Sequence, residues 1–281
     1  MQIGIDYAAV DSNKSPDLSK AKAAGLTFAI LRGSYHTYPD ATCKRDWEAI
    51  KAANIVRGAY MFPVITPKAA SPEAQVATFI RAMKNAGGIV PGVDLPPTLD
   101  IEFPGNGIAT TGMKLTDVIN WLMTAVGALR KEYGTAPMIY TSKRVVWEDL
   151  QNKLPAELSD CIPWIKSAYR LKARQSVDKV VPKEPPIPPP FSWWAIQQYQ
   201  GDALNFKGFS STVDVNRFNT QSVGCRGAFV SWIQRKLAMA EGSPGLFDTA
   251  TAEAVKEFQN KINTQIDGSV GIGTFSHLCW L

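Results

Sequence analysis

Pro96-Pro97-Thr98-Leu99-Asp100-Ile101-Glu102, followed by Phe103-Pro104-Gly105-Asn106-Gly107, has the pattern of a strand that ends at an open site. Side chains of a strand alternate between its two faces, so Asp100 and Glu102 share one face and Leu99 and Ile101 the other. The two prolines restrict the approach, and the residues after Glu102 are those of a turn or loop. At the C-terminal end of a barrel strand, the face carrying the carboxylates borders the mouth. Cβ atoms two residues apart lie roughly 6.6 Å apart, and flexible carboxylates can close or widen that gap. Such a pair suits glycosidic-bond chemistry and leaves its stereochemistry open.

Outward from this segment, short apolar runs alternate with amphipathic stretches of helical length. Strands are expected at 3–6, 27–31, 56–62, 99–102, 137–140, 162–165 and 193–199, and helices at 19–24, 44–53, 71–86, 116–133 and 145–151. Ser71-Pro72 suits a helix start, with a capping hydroxyl and a proline tolerated in the first turn. Repeated β-α units that end where the chain can close on its first strand favour an α/β fold, an irregular β/α (TIM-like) barrel, over residues 1–219. Residues 224–281 show a different periodicity, with helical faces around Trp232, Val255 and Leu278, and read as a small C-terminal three-helix domain. The segment 181–190 is proline-rich, but the strand-like stretch after it assigns it to a loop between late barrel strands rather than to a linker.

Composition narrows the chemistry. With 45% hydrophobic and 20% charged residues among 281, the chain is neither disordered nor fibrous. No apolar run approaches the ~20 residues that cross a bilayer. Two histidines, His36 and His277, leave little material for a zinc site or a Ser-His-Asp triad, which favours carboxylate chemistry with no metal and no cofactor. The four cysteines form no C-x-x-C pair; Cys43 and Cys161 read as buried hydrophobes, while a Cys225–Cys279 bridge would staple the last domain. The net charge of +5 suits either an anionic polymer or ordinary solubility. The basic run 166–184 is equally a positive wall beside a substrate or a solvated loop.

Further candidates lie at other strand ends. Asp6 ends the first strand and Asp214 lies just beyond the last, so closing the barrel makes them neighbours, either as shared charge in one cleft or as caps of strand-end donors. Tyr60, Tyr140, Trp164, Tyr169 and Tyr199 offer flat rings for sugar faces, Tyr60 and Tyr140 above the others.

In these residues the chain resembles the family 25 glycoside hydrolases, the Chalaropsis-type lysozymes or N-acetylmuramidases. The resemblance covers about residues 1–218 and rests on several motifs in order. They are Gly4-Ile5-Asp6, Arg57-Gly58-Ala59-Tyr60, Leu99-Asp100-Ile101-Glu102, Tyr140-Thr141-Ser142, Trp164-Ile165 with Ala168-Tyr169, Gln198-Tyr199, and Val213-Asp214-Val215-Asn216. Three features depart from it: Gln197 stands where the family often has tryptophan, Arg32-Gly33-Ser34-Tyr35 where it often has K-A-T-E-G, and the proline-rich insertion is absent from a compact member. The tail resembles the peptidoglycan-binding type 1 module through Trp232 to Leu237, through Thr251, Ala254, Val255, Phe258 and Gln259, and through Asp267-Gly268, Val270-Gly271 and Thr274.

The resemblance implies hydrolysis of the β-1,4 bond after N-acetylmuramic acid in bacterial peptidoglycan. It implies Glu102 as general acid and then base, Asp100 as the partner that orients the substrate's N-acetyl group, and Asp6 and Asp214 as supports. Gln198 and Tyr199 join the aromatic residues as substrate contacts. A direct carboxylate nucleophile and an inverting route stay open. The pairing of hydrolase and wall binder resembles a bacteriophage endolysin. The start at Met1 shows no secretory signal, so synthesis in a host cytoplasm and access to the wall after holin-type permeabilisation are expected. Neither nucleic acid nor stable membrane insertion is expected, and the chain is expected to be a monomer.

Overall fold

A computed structural model of the chain describes residues 1–9, 15–103, 107–167, 182–203, 206–239 and 243–281. Its strands are β1 (Gln2–Tyr7), β2 (Leu26–Tyr35), β3 (Tyr38–Pro39), β4 (Val56–Phe62), β5 (Thr98–Asp100), β6 (Met138–Ser142), β7 (Ile162–Lys166), β8 (Ile196–Ala203) and β9 (Val213–Phe218). The helices are α1 (Leu18–Ala23), α2 (Cys43–Ala52), α3 (Pro72–Asn85), α4 (Leu115–Tyr133), α5 (Ala228–Lys236), α6 (Thr249–Lys261) and α7 (Ile272–Leu278). Ser71 caps α3 as its sequence suggests, its hydroxyl accepting from the Ala74 N–H at 3.3 Å. Among the described residues no helix is long and apolar enough to cross a membrane.

Eight strands close a barrel in the order β1-β9-β8-β7-β6-β5-β4-β2, sealed by β1 pairing with β2. All neighbours are parallel except those of β9, which runs antiparallel to both β8 and β1. This strand corrects the sequence expectation, which ended the series at 193–199 and put Asp214 beyond it. Val213 and Val215 face outward while Asp214 and Asn216 face the barrel, so the segment lacks the apolar run that marks the other strands. The expected helix at 145–151 is a short π-helix, Val145–Asp149.

Alternation divides the apolar residues into two clusters. Outward-facing Ile5, Leu31, Met61, Leu99 and Ile139 pack against the surrounding helices, including Trp47, Phe79 and Leu122. Inward-facing Phe28, Ile30, Met138, Ile162, Ile196 and Phe218 fill the barrel below its mouth. Gly4 belongs to this inner layer, where a Cβ would lie 2.2 Å from the Phe28 ring, so only glycine fits.

The inner cluster does not stop at the barrel. It continues through Phe229, Trp232, Ile233, Phe275 and Leu278 of the C-terminal helices, which cover the barrel floor. Polar contacts fix the same face: the Ile272 N–H donates to Gln2 Oε1 at 2.6 Å, Thr135 Oγ1 to the Cys279 carbonyl at 2.6 Å, and Trp280 Nε1 to the Asp94 carbonyl at 2.8 Å.

Cys225 and Cys279 are free thiols, not a bridge. Cys279 is packed into the floor cluster, and the Cys225 sulfur accepts from the Ser222 N–H at 3.5 Å. The proline-rich segment does lie between barrel strands β7 and β8, as read from the sequence. It is tied to the barrel by Gln197 Nε2, which donates to the Lys183 carbonyl at 2.9 Å, and by Trp194 Nε1, which donates to Glu184 at 3.0 Å. Most of the basic run 166–184 lies outside the described residues.

Candidate active site

The C-terminal ends of the parallel strands surround a cleft of about 170 Å³, lined by Asp6, Arg32, Tyr60, Phe62, Asp100, Glu102, Tyr140, Trp164, Lys166 and Asp214, with Ala8 at the edge. Strand alternation positions these side chains. Asp100 ends β5 and Glu102 follows it by two residues, while Leu99 and Ile101 point into the outer core. Asp6 on β1 is the register partner of Asp214 on β9, so two carboxylates face each other across one strand pair.

One hydrogen-bonded network carries that repulsion. Gln198 Nε2 donates to both oxygens of Asp6, at 3.0 and 3.2 Å, and to Asp214 Oδ2 at 3.0 Å. Its Oε1 accepts from the Tyr140 hydroxyl at 2.9 Å. Asn216 Nδ2 donates to Asp6 Oδ1 at 2.7 Å, and Asn216 Oδ1 accepts from Trp164 Nε1 at 2.8 Å. The backbone N–H of Asp202 donates to Asp214 Oδ1 at 2.7 Å. Asp6 is thereby joined to two rings of the cleft wall, and Trp164 packs edge-on against Tyr140 with centroids 4.6 Å apart.

Electrostatics separate the carboxylates. Burial, and then the facing charge of Asp214, push Asp6 from 3.8 up to about 8, against the amide donors of Asn216 and Gln198. Burial, and then the charge of Glu102, raise Asp100 well above the ordinary carboxylate range. Burial also raises Tyr60 and Tyr140, which stay neutral phenols. Lys166 Nζ lies 3.3 Å from Glu102 Oε2. Burial alone would lower the lysine, but Glu102, Asp214 and Asp100 together raise its pKa.

Because Asp6 titrates higher folded than unfolded, its contribution to stability is complete below about pH 4. It is lost as pH rises through about 8. Asp6→Asn removes this loss. The melting temperature of the variant minus that of the wild type is therefore expected to climb between about pH 5 and pH 9 by scanning calorimetry. A difference that stays flat across that range would mean that Asp6 holds no extra proton.

Of the residues expected from sequence, Asp6, Tyr60, Asp100, Glu102, Tyr140, Trp164 and Asp214 meet in the cleft. Gln198 lies behind its wall, with both ends of its amide engaged as described. Tyr199 is 1% exposed and packs in the outer core, because neighbours in a strand face opposite ways. Tyr169 lies outside the described residues. Sequence reasoning did not single out Arg32 and Phe62, and it met Lys166 only as the first residue of a basic run that could form a wall beside the substrate. The signal for all three was the rule applied to Asp100 and Glu102: each lies two residues after an inward-facing residue, Ile30, Tyr60 and Trp164. Among the described residues no group of three His, Cys, Asp or Glu is arranged to hold a metal ion.

A family model described as Glycosyl hydrolases family 25 matches residues 5–205, and one described as Putative peptidoglycan binding domain matches 226–278. The fold is similar to that of a lysozyme from Streptomyces coelicolor, with 24% identity, a TM-score of 0.61, and 77% of this chain and 91% of that chain covered. It is similar to a family GH25 lysozyme from Aspergillus fumigatus, with 23% identity, a TM-score of 0.61, and coverage of 77% and 93%. A muramidase from Trichobolus zukalii matches with 24% identity, a TM-score of 0.60, and coverage of 78% and 94%. No curated protein is significantly similar in sequence.

Proposed function

We propose, from the premise that this chain belongs to family 25 of the glycosyl hydrolases, that it is a muramidase cleaving the β-1,4 bond between N-acetylmuramic acid and N-acetylglucosamine in peptidoglycan. The observation that carries this reading is Asp100 Oδ1, a buried carboxylate oxygen that has no hydrogen-bond partner among the described residues and belongs to a side chain lining the same cleft as Glu102. A buried acceptor left without a donor is costly, and an acetamido N–H of an amino sugar supplies the missing donor.

In the free site burial, and then the charge of Glu102, hold a proton on Asp100. An acetamido N–H donating to Asp100 stabilises its ionised form and leaves the proton to Glu102. Glu102 then protonates the leaving glycosidic oxygen as the bond to the anomeric carbon breaks. The acetamido carbonyl oxygen, oriented through its N–H by Asp100, attacks that carbon from the other face. Water opens the resulting oxazolinium ring and gives its proton to Glu102, so two inversions retain configuration. Asp6 and Asp214 keep Gln198, Asn216, Tyr140 and Trp164 in register around the pair.

The match of the tail to a peptidoglycan-binding domain supports a wall substrate. Together with the hydrolase it supports an endolysin, a monomer made in a host cytoplasm that reaches the wall once a separate holin-type lesion opens the membrane. The test digests purified peptidoglycan and resolves the new reducing ends. Reducing N-acetylmuramic acid, released first as the β-anomer, is the expected product. Reducing N-acetylglucosamine would make the enzyme a glucosaminidase, and intact glycan would make the chain a binder only.

A further inference from the structure

We propose that the β2–β3 hairpin carries an additional sugar subsite, in which Tyr35 and Tyr38 stack on a residue of the glycan strand as it leaves the cleft past Phe62. The inference rests on the glycan-cleaving role proposed above and adds to it a contact surface outside the catalytic cleft.

Register places three rings side by side. Tyr38 on β3 pairs with Tyr35 on β2, and Tyr35 pairs with Phe62 on β4, so neighbouring strands present one aromatic row. The rings of Tyr35 and Phe62 stack with centroids 5.5 Å apart at 24°. Phe62 also lines the cleft, which makes the row continuous with the site. A shift in register between Arg32 and Ser34 makes this possible. In a regular strand, residues 32 and 35 face opposite ways, whereas a bulge resets the alternation. Here Arg32 lines the cleft and its guanidinium also lies over the Tyr35 ring, 5.7 Å from the centroid.

The hairpin that carries the row is anchored to the barrel. The His36 N–H donates to the Phe62 carbonyl at 2.9 Å, the Asp40 N–H to the Gly33 carbonyl at 3.0 Å, and the Ala70 N–H to His36 Nε2 at 3.1 Å. Arg32 Nε is bound to Asp40 Oδ2 at 2.9 Å. Tyr35 is 44% exposed even with Phe62 stacked on its ring and Arg32 over it, and Tyr38 is 66% exposed, so both side chains present surface to water at the end of the row. Exposed aromatic rings next to a sugar-cleaving site fit the apolar face of a pyranose ring, and a phenol there can also reach a hydroxyl edge.

The test compares kcat and KM on long, peptide-free glycan strands with those on the shortest oligosaccharide that the wild type cleaves. Tyr38→Ala is expected to raise KM for long strands about tenfold, the effect of one aromatic contact. Its kcat, its melting temperature and its action on the short substrate are expected to stay at wild-type values. Tyr38→Phe and Tyr38→Trp keep the ring and should restore the KM. Equal losses on both substrates, no loss on either, or failure of Tyr38→Phe to restore binding would each overturn the subsite. A wild type that cleaves no glycan would instead remove the hydrolase reading on which the subsite rests.

Discussion

Glu102→Gln is expected to lower kcat on peptidoglycan by about 10²–10⁴-fold, the contribution typical of a positioned acid-base group. The amide is nearly isosteric but has no proton to give the leaving oxygen and cannot take one from the attacking water. The fold should survive the change. The Glu102 side chain is 29% exposed and its ion pair with Lys166 is partly solvated, so losing that pair costs at most about 1 kcal/mol. An unchanged melting temperature together with lost release of reducing ends assigns proton transfer to this carboxyl. A folded Glu102→Gln protein that cleaves at near wild-type rate would sink the mechanism. Binding of insoluble wall should be untouched, since the C-terminal helices lie at the opposite end of the barrel from Glu102.

The carboxylate pair was legible because period-two alternation is a strong local rule: two acids on the inner face of an apolar strand end have few places to go but the mouth. The same rule shows why Tyr199 was misplaced. A two-residue motif put Gln198 and Tyr199 together, whereas a strand sends one to each face. β9 was harder to read, because its inward residues are Asp214 and Asn216, placed to satisfy one another's network rather than to fill a core. Its antiparallel direction depends on which strands flank it, and no local pattern encodes that. The bulge at Gly33 was equally hidden. Phe79 lies 2.7 Å from where a Cβ of Gly33 would be, so that glycine is set by a helix distant in sequence. Arg32 follows the inward-facing Ile30 by two residues and was within reach of the alternation rule, whereas Lys166 was read only as the start of a basic run.

The C-terminal helices illustrate the opposite limit: their periodicity was visible, but their docking was not. A free three-helix unit of about 60 residues would be only modestly stable. Here Phe275 is fully buried between units, with ring centroids 5.0 Å from Phe218 of β9, 5.7 Å from Phe229 and 5.4 Å from Trp232 of α5. Trp193, just before β8, stacks on Phe229 at 4.5 Å. The same face touches Gln2 at the start of β1, and Asp94 and Thr135 in the loops that lead into β5 and β6, all away from the cleft.

Phe275→Ala is therefore expected to cost about 3–5 kcal/mol, as for other buried aromatic truncations. That is a large share of the ~5–15 kcal/mol that holds a domain folded. Because Phe275 touches Phe218 of the barrel floor, calorimetry should show a single transition that moves down as a whole, with glycan cleavage lost at the same temperature. Two transitions, with the one that ends cleavage unmoved, would show that the helices and the barrel fold independently. A shared transition carries a consequence for the wall. A binder on a flexible tether raises local substrate concentration over a range of orientations, whereas a binder packed into the barrel floor holds the cleft at a fixed angle and distance from the polymer it grips. Which glycan strands the enzyme reaches from one binding site is then set by the Phe218–Phe229–Phe275 contact, and loosening that contact should change the length distribution of the products as well as the stability.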